Sequence, residues 1–333
     1  MLDPTYTKAK EISDIIANFR SGELCFEMNA DHVLKWAQQF SADAIDVILE
    51  ETYEILSRWY ISDEQITDFL TAILSYLDNQ GISLDQVTFW NGQDSCKSQG
   101  RILKDFYRLF PSCSLKVDTL YRKHIIYIDD GLYTGSKIRK EIGSIIKDAP
   151  SEVESISAFV LIAYSNGFSF AQKELEELGR EQGIKVQIER YKELRNDKGT
   201  EYCDGAETYV SSLGVLWPSH SLRNEPAVEA FETYLSAKGK FSLKYKTHSV
   251  YTSQIFTSMK RQEIVEKEFL LRGLRFLPQE SINKGIYPLG YDTTRSFGFG
   301  SFCATKYNIS NTCPIVLWWN VDASWYPLLP RRV

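Results

Sequence analysis

Residues 124 to 139, His-Ile-Ile-Tyr-Ile-Asp-Asp-Gly-Leu-Tyr-Thr-Gly-Ser-Lys-Ile-Arg, concentrate the side chains best suited to chemistry. Asp129 and Asp130 follow an apolar run. Ionised carboxylates are acceptor-only groups, which suits them to the vicinal hydroxyls of a ribose. Thr134, Gly135, Ser136 and Lys137 then read as a tight turn into a helix, where unpaired amides and the positive end of the helix dipole favour an anion. Gly135 permits close backbone approach, Thr134 and Ser136 add hydroxyls, and Lys137 adds a charge. Sugar hydroxyls on one side and a phosphate on the other describe a 5-phosphoribosyl group.

Two other readings of this segment need weighing. Gly-Ser-Lys also occurs in nucleotide-hydrolysing P-loops, but here only three residues separate Gly131 from Gly135, Ile138 follows Lys137, and two aspartates precede the loop. The P-loop reading fails on all three points. Asp-Asp-Gly is also ordinary turn chemistry. The adjoining Thr-Gly-Ser favours a ligand role, because the whole constellation must otherwise be coincidence.

Elements on either side must hold these residues in place. Apolar residues recur at helical spacing through residues 7 to 77, as in Val33, Trp36, Ala37 and Phe40, which predicts a helical amino-terminal region over residues 1–80. Ser62 with Gln65 has the form of a capping box, and predicts a helix starting near Asp63. After Gly81 short apolar runs alternate with helical stretches. Strands are predicted at 87–90, 125–128, 156–163 and 186–188, and helices at 101–110, 136–146 and 169–183. This alternation predicts an α/β fold, a parallel sheet flanked by helices, with the pair of aspartates at the carboxyl end of a strand, where ligands bind in such sheets. Beyond Tyr191 the periodicity weakens. A helix is predicted over 259–274 and a strand over 315–319, and residues 81–333 are taken as one α/β core with a carboxyl-terminal extension packed on it.

Totals bound the function classes. The chain has 333 residues, 43% hydrophobic and 25% charged, as in ordinary folded proteins. Its 38 basic and 44 acidic side chains give a net charge of -6, so no bulk positive field points to nucleic acid. No apolar run is long enough for a membrane span and the amino terminus is polar, which predicts a cytoplasmic location without membrane contact. The six cysteines form no Cys-x-x-Cys pair, and the four histidines share no spacing with acids or cysteines, so no metal site is predicted. Cys96 sits beside Lys97, which would favour a thiolate, although an inert cysteine is the commoner case. Trp318 and Trp319 suggest a base-stacking platform but read better as core.

The segment at 124–139 resembles the phosphoribosyl diphosphate signature of type I phosphoribosyltransferases, four apolar residues, two acidic residues and a Thr-Gly phosphate loop. The resemblance implies ribose contacts from Asp129 and Asp130 and phosphate contacts from Thr134, Gly135, Ser136 and Lys137. It also implies a second loop, for pyrophosphate, between Asn91 and Gly100, with Lys97, Ser98, Gln99 and Gly100 as candidates beside the plain alternative of a solvated connector. Magnesium is expected if pyrophosphate leaves. Two positions depart from the pattern: Tyr133 stands where many purine-type members carry an aspartate, and Lys137 where a Thr or Ser is usual.

More narrowly the chain resembles the PRTase-CE proteins of prokaryotic conflict systems, some of which accompany retron reverse transcriptases. Val33-Leu-Lys-Trp-Ala-Gln-Gln-Phe40, Gly298-Phe-Gly300 and Asn308-Ile-Ser-Asn-Thr-Cys-Pro-Ile-Val-Leu-Trp-Trp319 carry that likeness. It implies an anti-phage effector acting at ribose C1 of a nucleotide or of phosphoribosyl diphosphate, with partner proteins such as a reverse transcriptase complex. A non-enzymatic sensor of such a ligand, or an assembly subunit of a defence complex, remains the alternative, since regulatory proteins use this fold without turnover.

Overall fold

A computed structural model describes residues 3–92, 97–114, 121–203, 206–216, 218–239, 243, 245, 255–291 and 296–331. The chain divides into two compact units, Ser62–Leu194 and Met1–Ile61 with Arg195–Val333. The amino-terminal helices therefore share a unit with the carboxyl-terminal half, while the sheet and the helices that cover it form the other.

The first unit opens with α1 (Pro4–Ile15), α2 (Ala30–Ala37), α3 (Ile45–Trp59) and the short strand β1 (Tyr60–Ile61). Asp3 caps α1 and Asn29 caps α2, each side chain accepting from a first-turn amide.

The sheet unit begins with α4 (Asp63–Asn79), and the expected box is present: Ser62 Oγ accepts from Gln65 N and Gln65 Oε1 from Ser62 N. Then come β2 (Val87–Trp90), α5 (Ser98–Leu109), α6 (Pro111–Ser114), β3 (His124–Leu132), α7 (Ser136–Asp148), β4 (Ser155–Tyr164), α8 (Ser165–Glu181) and β5 (Lys185–Cys203). Strands β2, β3, β4 and β5 pair in that order, all parallel, through residue 194. The alternation of β4 decides which helix covers which face. Ser157 and Phe159 meet Tyr76 of α4, whereas Ile156, Ala158 and Val160 join Ile142, Ile145, Ala171 and Leu175 of α7 and α8 in one buried cluster. Helix α5 covers β2 and β3 on the α4 side, with Phe106 against Phe89. This is the predicted α/β arrangement of a parallel sheet flanked by helices.

Four boundaries move by three or more residues. Helix α5 starts at Ser98, three residues before the predicted start, so Ser98, Gln99 and Gly100 lie in a helix and not in the predicted loop. Strand β3 runs to Leu132, so both aspartates lie within it, because Asp129 and Gly131 still pair with Val160 and Ile162 of β4. Helix α8 starts at Ser165, four residues before the predicted start. The predicted short strand at 186–188 is the start of the much longer β5.

Beyond Leu194 the first unit resumes. Residues Arg195–Cys203 pair antiparallel with β6 (Ala206–Leu213). Helices α9 (Pro226–Ala237), α10 (Met259–Phe276) and α11 (Gln279–Asn283) follow, then strands β7 (Ile286–Tyr287), β8 (Gly290–Tyr291) and β9 (Ala304–Thr305), the last paired with β1. The strand predicted at 315–319 is instead a single helical turn, α12 (Ile315–Trp318), started by Pro314. A short apolar run buried on all sides carries no periodicity to separate the two conformations. Burial of Trp318 and Trp319 as core is as expected, at 3% and 2% exposure. The end of the chain is strapped to α2. Gln39 exchanges hydrogen bonds with the backbone of Tyr326, His32 meets Tyr326 Oη and the Leu328 carbonyl, and Trp36 Nε1 donates to the Val316 carbonyl.

Candidate functional site

The carboxyl end of β3 carries Asp129 and Asp130, and the turn from it into α7 carries Thr134, Gly135, Ser136 and Lys137. Gly135 takes φ +75, and the helix behind it has neither a side-chain cap nor an acidic residue in its first turn. An L side chain at 135 would be strained and would meet the Gly167 carbonyl at 2.8 Å and Ala171 Cβ at 2.9 Å. Thr134 Oγ1 accepts from Ser136 N at 3.2 Å and donates to Ser136 Oγ at 3.1 Å, which shapes the turn. Arg139, one turn into α7, brings Nη2 to 3.5 Å from Ser136 Oγ while pairing with Glu174 and stacking on Phe170.

Asp129 and Asp130, consecutive in a strand, differ sharply. Asp129 is 2% exposed; its Oδ1 accepts from Asp130 N at 3.0 Å, and its Oδ2 from Tyr127 Oη at 2.9 Å and Lys137 Nζ at 2.6 Å. Lys137 thus stands at the turn with its ammonium engaged by a carboxylate. Burial works against the Lys137 charge, but Asp129, Asp130 and Glu141 outweigh it and raise its pKa. Asp130 is half-buried and accepts from Ser98 Oγ at 2.9 Å. Burial, then the charge of Asp129, raises its carboxyl to about 7, against the pull of Lys137 and Ser98.

Of the second predicted loop, Lys97, Ser98, Gln99 and Gly100 are described, and Cys96 with residues 93–95 lies outside the described residues. Ser98 is brought to the aspartates. Gln99 and Gly100 are buried, Gln99 completely, with its Nε2 donating to the Ile128 carbonyl at 3.1 Å and its Oε1 without a hydrogen-bond partner. Gln99 ties the first turn of α5 to β3. Lys97 is exposed at the start of α5, a helix that also lacks a side-chain cap.

Three participants escape sequence reasoning. Tyr127 Oη lies 2.7 Å from Glu141 Oε2 as well as against Asp129, so strand and helix are cross-linked through one phenol. Burial, then Asp129 and Glu141, raise the Tyr127 pKa and keep it a donor. The spacing was visible, since Tyr127 lies two residues before Asp129 on one strand face and Glu141 four after Lys137 on one helix face. Gly167 gave no such signal; a Cβ there would fall 1.8 Å from the Tyr133 carbonyl oxygen.

Magnesium can be tested against these donors. Among the described residues no group of three or more His, Cys, Asp or Glu side chains forms a metal site, and Asp129 is committed to Lys137. Among the described residues, no helix is long and apolar enough to cross a membrane.

No curated protein and no solved structure matches the chain. The PRTase-CE family model matches residues 33–331, a span that includes nearly all of both units, the β3–α7 turn and the strapped carboxyl terminus. On that match, with the parallel sheet and the acidic strand end in place, the chain belongs to the PRTase-CE family.

Proposed function

We propose that the β3–α7 turn holds a 5-phosphoribosyl ligand and that the protein acts at ribose C1 of a nucleotide or of phosphoribosyl diphosphate. The observation that carries this reading is the uncapped start of α7 behind the left-handed Gly135, next to the half-buried carboxyl of Asp130. Helix-start amides with the Thr134 and Ser136 hydroxyls receive the phosphate. The Lys137 ammonium is engaged by Asp129, and Arg139, itself paired with Glu174, brings Nη2 within 3.5 Å of Ser136 Oγ as a further positive charge at the turn. Asp130 faces the ribose hydroxyls, and Asp129 supports it from behind. Lys97 and Ser98, at the uncapped start of α5, are the candidates for pyrophosphate. Magnesium, where used, travels with the pyrophosphate oxygens as part of the substrate. Catalysis in such a site is chiefly positioning and electrostatic stabilisation of a ribose ring that becomes positive.

The family likeness supports a role as an anti-phage effector that alters a nucleotide pool, working with partners such as a reverse transcriptase complex. The test is incubation of the full chain with magnesium, phosphoribosyl diphosphate and a nucleotide mixture, followed by mass spectrometry of the small molecules. A free base, or a new nucleotide, is the expected product. Tight binding without product would make the protein a sensor. Loss of neither binding nor turnover in a folded Asp129→Asn, Asp130→Asn double variant would remove the reading.

A further inference from the structure

Strand β3 stays extended through its two aspartates, so their side chains leave it on opposite faces. Asp129 lies on the face of Tyr127 and Val160, which α7 covers, and Asp130 on the other face, where Ser98 of α5 meets it. The two carboxylates therefore do not converge on one crevice. Asp129 is 2% exposed and its oxygens are occupied, Oδ2 by Lys137 Nζ at 2.6 Å and Tyr127 Oη at 2.9 Å, and Oδ1 by Asp130 N at 3.0 Å. Tyr127 is held in turn by Glu141 at 2.7 Å, so strand and helix together close off this carboxylate. Asp130 is half-buried, and its one side-chain donor among the described residues is the Ser98 hydroxyl, 2.9 Å from Oδ1. Acceptor capacity for a ligand thus remains on Asp130.

We propose that a single carboxylate, Asp130, grips the sugar by its 3-hydroxyl, and that the site accepts 2-deoxyribose 5-phosphates as readily as ribose 5-phosphates. This assignment rests on the phosphoribosyl reading and extends its substrate class to 2-deoxynucleotides. A site that hydrogen-bonds a hydroxyl discriminates against a ligand lacking it, because its own buried group is then left unpaired. Holding both hydroxyls of a ribose takes an acceptor for each, and the enclosed Asp129 offers none. The 3-hydroxyl is the one within reach, since C3 is bonded to C4, which bears the arm to the 5-phosphate, and C2 lies one carbon further from the turn at Thr134 to Ser136. The 2-hydroxyl is left to water, so its removal orphans nothing in the protein.

Phosphorus NMR titration of the full-length protein with ribose 5-phosphate, 2-deoxyribose 5-phosphate and 3-deoxyribose 5-phosphate tests this without a base and without turnover. The first two should bind within about 5-fold of each other, and the 3-deoxy sugar more weakly by on the order of 10- to 100-fold, the range of a hydrogen bond to a charged group. In Asp130→Ala, checked for folding by circular dichroism, the 3-deoxy penalty should vanish. A larger preference for ribose over 2-deoxyribose overturns the proposal alone, since Asp129 would then leave Lys137 for the 2-hydroxyl when ligand arrives. Equal binding of all three sugars by the wild type, or a 3-deoxy penalty that survives in folded Asp130→Ala, also overturns it. Binding of none of the three, nor of phosphoribosyl diphosphate, removes the phosphoribosyl reading itself and the sugar assignment with it.

Discussion

Gly167→Ala should damage the ligand site from outside it. The substituted Cβ would fall 1.8 Å from the Tyr133 carbonyl oxygen and 2.7 Å from the Tyr133 carbonyl carbon, both backbone atoms of the turn. A densely packed interior does not yield freely, so the turn and the first turn of α8 must part by about 1.2 Å before the contact becomes tolerable. Overpacking of this kind costs ~1–3 kcal/mol. Replacing a helical glycine returns ~0.5–1 kcal/mol, so the net loss of stability is modest. The effect on the site is larger, because a misplacement of ~1 Å costs on the order of 100-fold in a positioned reaction. Calorimetric titration with phosphoribosyl diphosphate, beside thermal unfolding, should show affinity lost out of proportion to the fall in Tm. Gly143→Ala on α7 is the matched comparison: its Cβ would sit at 3.6 Å from Leu178 Cδ2, an ordinary contact, so it should gain ~0.5–1 kcal/mol and leave affinity unchanged. Wild-type affinity in a folded Gly167→Ala would refute the argument that α8 sets the turn.

Three further outcomes follow from the packing. His32 is buried and its pKa lowered, first by desolvation and with a further push from Lys35, so its neutral form contributes stability that is whole above the ordinary histidine value of ~6.5 and is lost as pH falls toward the depressed one. Tm measured from pH 8 to 5 should decline below that value, and His32→Gln should flatten the decline. Ile142→Ala, in the cluster joining α7 and α8 to the sheet, should cost ~2–5 kcal/mol by denaturant unfolding, with a value under 1 kcal/mol arguing against close packing there. Truncation after Asn308 removes the buried Ile315–Trp319 and the strap on α2, and should give insoluble or partly unfolded protein; a soluble product unfolding at the full-length Tm would make the tail an appendage.

What was legible in the sequence follows from range. The Ser62–Gln65 cap, the tight turn into a helix at Gly135 and the strand at 156–163 are local, and local rules placed them. The end of β3 was missed because Asp-Asp-Gly reads as a turn, whereas pairing with Val160 and Ile162 holds it extended. That extension matters for the site, since it points Asp129 into the protein and leaves Asp130 the more accessible of two residues that composition alone makes equal. Lys137 was read as a free charge for a phosphate because nothing in its neighbours shows that Asp129, eight residues earlier, reaches back to it. Gly167 illustrates the remaining gap. Its role depends on α8 crossing within contact of a turn more than thirty residues upstream, and such an approach leaves a glycine in the sequence but no indication of what that glycine must avoid.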